Sequence, residues 1–355
     1  KWMKAAGPNA DTGDSALARK AVVEGQGMVV YVDYLLNPLG RSLQDTPDVI
    51  YQMEDPAVKA AIDSQLLHDA PMILREMGAF AYQGGLIFEG ELMHKGGRNM
   101  AFAEVFAHPP RSSHEVLQPE TYINGEKLPP IRIPDTKKLL SDQYDVYDSG
   151  GIGEVDVRAL LKQFGERKIA DDLSSAWQGG AYVTFRRKDK DKDKGKDKNT
   201  DQDKDKAVAD TPVSTGDLAL LYISRWKTAQ AADRFARFYT GAVSQRYRSA
   251  AVQEVQACSG GNCPLSMAEF LTEEGPVIVE RRQDNSVIVC ESFDTATSAK
   301  LRAALQEQIT KNAVRAQYLP QEEIGLRLFN IPAFNAFVQD IGEQIAQGMK
   351  QQIAR

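Results

Sequence analysis

With 355 residues, 42% hydrophobic and 26% charged, the chain has the composition of a folded globular protein long enough for two domains with their own cores. Its net charge of −6 excludes a basic field for nucleic acid, and no apolar run reaches the length of a membrane-spanning helix.

The chain opens on Lys1, and Trp2 and Met3 read as the middle of a helix, so it is expected to begin inside a longer protein. Gly7-Pro8-Asn9 and Thr12-Gly13-Asp14 read as loop, and Asp14 or Ser15 can cap the first helix. That helix is Leu17–Leu36, with Leu17, Ala21, Glu24, Met28, Tyr31 and Leu35 at helical spacing. The stripe predicts a largely buried Glu24, packed against the next long helix. An inward carboxylate is costly unless a metal ion or an Arg neutralises it. Gly25 and Gly27 are unfavourable inside a helix and suggest that a neighbouring backbone approaches closely.

Asn37-Pro38-Leu39-Gly40 ends the first helix. Pro56–His68 reads as a helix, and a second long one runs from Pro71 to about Gly96, where Gly84 and Gly85 mark a kink or a close helix contact. Asn99–Ala107 is helical. The stretch from there to Gly125 is rich in turn residues, and Ser113-x-x-Val116 lacks the acid of a capping box.

Pro129–Gly153 reads as loop, with a domain boundary near Asp148–Gly151, and Ile152–Lys168 as a helix. Gly150-Gly151-Ile152-Gly153 has the form of an anion cradle, although a hinge is the commoner use of such a run. Ala181–Phe185, Leu218–Ile223, Val252–Ala257, Val277–Arg281 and Ser286–Cys290 read as strands, and Ala229–Arg246 and Thr295–Thr310 as helices. The fold class is therefore α+β: a helical part at 1–150, an α+β domain with an antiparallel sheet at 151–312, and a helical tail at 313–355. Lys188–Lys206 has nearly cancelling charges and nothing to bury, so a solvated, dispensable loop is expected there.

Four histidines, His68, His94, His108 and His114, stand in no ligand spacing, and no P-loop, nucleophile elbow or dinucleotide fingerprint occurs. Cys258 and Cys263 are close enough for a loop disulfide, which suits an extracytoplasmic protein, while three reduced thiols is the alternative.

Several segments, taken in order, resemble gluzincin-type zinc metallopeptidases among bacterial secreted proteins and lipoproteins. These are ARKAVVEGQGMVVYVDYLL, then Ala81–Phe88 with Gly96-Gly97, then Pro109–Ser113 with Pro119–Tyr122, and Trp177–Gly180 with Trp226 beyond it. The resemblance implies that Glu24 is the third zinc ligand. Tyr82, His114 and Tyr122 are then the candidates for stabilising the oxyanion of peptide hydrolysis, although each is more commonly a core or loop residue. H-E-x-x-H is absent from the chain and is expected upstream of Lys1, and Gln118 stands where such proteins often have His. The 355 residues by themselves are thus expected to be inactive, with zinc as cofactor and a peptide or protein as substrate only in the longer protein. The rival reading is a non-catalytic secreted binding or scaffold protein with a degenerate metallopeptidase-like fold, in which Arg19 or another base satisfies Glu24.

Overall fold

The computed structural model describes residues 13–46, 48–51, 70–129, 131, 133–165, 167–188, 217–257 and 264–310. The expected helix at Pro56–His68, the charged run beyond Lys188, Cys258, Cys263 and the tail beyond residue 310 lie outside the described residues. The architecture is mixed α+β, with helices first and an antiparallel sheet later. The described residues within Lys1–Pro129 and Gly151–Gly179 form one compact unit, and those within Pro130–Gly150 and Gly180–Gln317 form another.

The helical unit is built on Gly13–Leu36. Its fully buried stripe runs through Leu17, Ala21, Val22, Val29, Val32 and Leu36. Gly25 lies on this stripe, and Glu24, Tyr31 and Leu35 lie at its half-buried flank. Glu24, expected to be largely buried, is partly buried and meets Tyr82 of the second long helix. Gly25, the next residue, is the one that faces the core.

The second long helix is assembled from Met72–Ala79, a π-helical turn at Phe80–Gly84 and Gly85–Asn99. It packs on the first helix along its middle. A Cβ on Gly25 would lie 2.3 Å from the Gly85 backbone carbonyl, and one on Gly85 would lie 2.2 Å from the Ala21 oxygen. Both glycines are therefore required by backbone-to-backbone contact, as the sequence suggests for Gly25 and for Gly85. Gly27 differs, because nothing lies within 4 Å of its Cβ position. The helices at Glu154–Phe164 and Arg167–Ser174 belong to the same unit, where Lys162 donates to both oxygens of Glu76 at 2.9 Å.

Ser113–Leu117 is a short helix capped by Ser112, whose Oγ accepts from the Glu115 backbone N–H. The cap thus lies one residue before the Ser113 position considered from the sequence. Ser112-x-x-Glu115 has the capping-box residues, but the Glu115 carboxylate is bonded to the Arg111 backbone N–H and guanidinium.

A seven-stranded sheet, nearly all of it in the other unit, comprises β1 (Tyr144–Gly151), β2 (Trp177–Arg187), β3 (Leu218–Trp226), β4 (Ala250–Ala257), β5 (Leu265–Thr272), β6 (Gly275–Arg281) and β7 (Ser286–Glu291), in the order β1-β2-β3-β7-β6-β5-β4. Central β7, SVIVCE, is buried along its whole length, as a strand covered on both faces must be. One face carries Leu221, Ile278, Ile288 and Cys290 against Leu301 and Leu305 of the Thr295–Thr310 helix. On the other, Trp226 stacks on Phe235 of the Ala229–Arg246 helix at 4.5 Å. Burial pushes the free Cys290 thiol up to about 12. β1 is a correction, since its Asp- and Gly-rich sequence reads as loop. Tyr182 and Thr184 bond to Asp148, anchoring the Asp- and Gly-rich end of the strand, whose residues have low β propensity.

Candidate functional site

The Gly25–Gly85 contact brings the first two long helices close enough for side chains beside it to meet. Glu24 and Tyr82 are two of these. The Tyr82 hydroxyl donates to the half-buried Glu24 carboxylate, and burial together with that negative charge raises the phenol well above its usual range. Lys20, one turn before Glu24, is the cation beside it. Burial lowers the Lys20 ammonium from its ordinary value, and Glu24 opposes that shift. A carboxylate is thus presented at the flank of a helix, bonded by a phenol and neighboured by an ammonium.

The other two predicted residues do not join it. His114 is buried, with Nδ1 2.5 Å from Glu154 Oε2 and its ring 5.7 Å from that of Trp177. Gln118 donates to the second oxygen of Glu154 at 3.2 Å. Burial raises the Glu154 carboxyl from its ordinary value against the pull of His114 and Gln118. The backbone N–H of Ser113, the residue before His114, bonds Asp14 at 3.1 Å. Asp14 lies ten residues before Glu24 on one helix, a separation of about 15 Å at 1.5 Å per residue. Tyr122 instead donates to the His108 carbonyl at 2.6 Å, and burial with Glu115, Glu89 and Glu104 nearby pushes its phenol up to about 12.

Asp14 answers the question raised by the glycine run before Glu154. A Cβ at Gly153 would fall 1.9 Å from Asp14 Oδ1, so this glycine makes room for the chain's own carboxylate. Both Asp14 oxygens accept from the Ser113 N–H, and burial with Asp156 nearby pushes the carboxyl up to about 7. The anion beside Gly153 is therefore supplied by the first helix. Glu89 is a further residue that the sequence alone does not single out. It is fully buried, neither oxygen has a hydrogen-bond partner among the described residues, and burial pushes it up to about 9. Its signal lies in the spacing: Glu89 follows Gly85 by four residues and so shares its inward face.

A cleft opens in the same unit among Phe80, Gln83, Ile87, Leu117, Val155 and Arg158. None of Glu24, Tyr82, His114 and Tyr122 lines it. Among the described residues no group of three His, Cys, Asp or Glu side chains could hold a metal ion. His94 and His108 are exposed and His114 is engaged by Glu154. No protein family, curated protein or solved structure matches this chain.

Proposed function

We propose that the chain is the Glu24-bearing part of a gluzincin-type zinc metallopeptidase, extracytoplasmic and acting on peptide bonds. The two histidines and general-base glutamate of H-E-x-x-H come from a segment outside these 355 residues. The observation that carries this reading is the meeting of Glu24 with Tyr82 at the glycine contact. Two residues singled out separately along the sequence share one hydrogen bond, and the carboxylate stays partly open to solvent. In this reading Glu24 contributes one ligand oxygen and Tyr82 orients it. No hydrolytic step is assigned to the described residues by themselves.

One observation favours a second reading, a secreted binding protein without catalysis. Tyr82 and Lys20 already bond and neighbour the Glu24 charge, so the carboxylate needs no metal to be tolerated.

Elemental analysis for zinc separates the two readings. It is applied to the 355-residue chain, to a longer protein carrying H-E-x-x-H upstream, and to that protein with Glu24→Gln. The peptidase reading expects no stoichiometric zinc in the first, one zinc per chain in the second and a sharp loss in the third, with thermal unfolding unchanged. Zinc retained in the Glu24→Gln protein removes Glu24 from the ligand set, and a natural protein without H-E-x-x-H leaves the binding reading.

A further inference from the structure

Strand β4 ends the sheet and pairs only with β5 among the described residues. An unpaired edge presents a row of backbone donors and acceptors, and proteins usually guard it with charged side chains, Pro, β-bulges or a covering segment. Ala250–Ala257 contains no Lys, Arg or Pro, its guards are the single charge of Glu254 and a break in register, and residues 251–256 are all exposed. Val252 and Val255 are 61% and 53% exposed.

The register aligns these two valines. Val252 lies opposite Phe270 and Glu254 opposite Glu269, so Gln253 is an extra residue in the strand. In a regular strand, residues three apart point to opposite faces. The extra residue places Val255 opposite Ala268, on the face shared by Val252 and Phe270. This is also the face of the Ala229–Arg246 helix. Phe270 pairs with Val277 and Val277 with Glu291, and Glu291 is bonded by Tyr239 and Arg246 of that helix. The helix covers the neighbouring part of this face and leaves the two valines at its margin more than half exposed.

The sequence of the edge fits itself. About a two-fold axis between Gln253 and Glu254, an antiparallel copy sets Val252 against Val255, Ala251 against Gln256, and Gln253 against Glu254. All opposed residues then share a face, because the bulge restores the match. The carboxylate meets a carboxamide, and the four valines of the two copies form one patch. Shifting the sum of paired residue numbers by one in either direction sets Glu254 against Glu254 or separates the valines, and like charges directly opposite are destabilising. We propose that β4 is a homodimer interface at which two copies of this chain join their sheets edge to edge. Strand pairing with one small apolar patch is a small interface, so the dimer is expected to form with a Kd on the order of 10 µM.

Sedimentation velocity on the 355-residue chain across the micromolar range tests the proposal. The expected result is a shift from monomer to dimer with concentration, with slower hydrogen exchange in Ala250–Ala257 over the same range. The double variant Val252→Lys, Val255→Lys is expected to stay monomeric at every concentration, with its thermal midpoint unchanged because both side chains are exposed. Should that variant unfold, Glu254→Lys, which sets an ammonium against the Gln253 amide, offers a milder change and is expected to alter the dimer constant without altering the fold. A wild-type chain that stays monomeric overturns the proposal, as does a valine variant that is folded and still dimeric. A dimer that forms only after residues 311–355 are removed also overturns it, because the chain's own tail then covers the edge.

Discussion

Glu291 in the sheet unit and Glu89 in the helical unit are both buried, and they are handled in opposite ways. Arg246 donates to both oxygens of Glu291, at 2.7 and 2.9 Å, and the Tyr239 and Tyr247 hydroxyls add bonds at 2.8 and 3.1 Å. The Arg246 guanidinium also lies over both tyrosine rings, 5.0 and 5.5 Å from their centroids. Glu89 has neither a cation nor a donor on its oxygens among the described residues. A buried carboxylate can be surrounded by a cation and donors or can hold its proton, and the chain uses both solutions. The first locks the Ala229–Arg246 helix to a central strand. The second leaves an acid in the helical core whose cost depends on pH.

The largest effect is expected where the bonded charge loses its partner. Arg246→Met should destabilise the sheet unit by about 3–5 kcal/mol, because it leaves a buried carboxylate without its cation. Denaturant unfolding followed by circular dichroism measures this, and the double change Arg246→Met, Glu291→Leu should recover most of the loss. A small loss in the single variant would mean that the two tyrosine hydroxyls suffice.

Glu89 should respond with the opposite sign. Its folded value of about 9 lies above the ordinary 4.5, so the folded chain keeps the proton while the unfolded chain loses it. Stability is therefore highest below pH 4.5 and falls as pH rises toward 9. At pH 7 this costs about 3 kcal/mol, an upper figure for a fully buried group. Glu89→Leu should raise stability, by more at pH 8 than at pH 5, and flatten that part of the pH profile. A gain that is the same at both pH values would show that packing, and not ionisation, is what Leu improves.

The smallest effects set two glycines of one helix against each other. Gly25→Ala should cost about 1–3 kcal/mol, since its methyl meets the Gly85 backbone, which has no rotamer to change. Gly27→Ala meets nothing within 4 Å and should stabilise by about 0.5–1 kcal/mol through helix propensity. Thermal unfolding of the two variants decides whether the helical unit is limited by the contact or by the glycines themselves.

Periodic elements are legible in the sequence. Ala229–Arg246 and Thr295–Thr310 have the bounds expected from their residue pattern, and the expected runs at Ala181–Phe185, Leu218–Ile223, Val277–Arg281 and Ser286–Cys290 each lie inside an observed strand. β1 is hidden because Asp148 and its glycines signal a turn, while its order comes from Tyr182 and Thr184 more than thirty residues away. Of the candidate site, the close approach at Gly25 and Gly85 is readable from glycines at inward positions. The meeting of Glu24 and Tyr82 is not, because it depends on how two helices cross. His114 offers no clue to Glu154, a partner forty residues on. Glu89 and Glu91 look alike in GLIFEGELM, and only the identity of the inward face separates them.

The free thiol on β7 makes the chain its own chemical clock. Cys290 is 1% exposed and sits next to the residue that binds Arg246, while residues 1–257 contain no cysteine. Alkylating reagents attack the thiolate, and a thiol held up to about 12 in a closed sheet offers almost none at neutral pH. Modification of Cys290, located by peptide mapping, therefore counts openings of the sheet unit alone and is blind to the helical unit. Its rate in the native protein gives a timescale for fraying of the central strand that no bulk unfolding curve resolves.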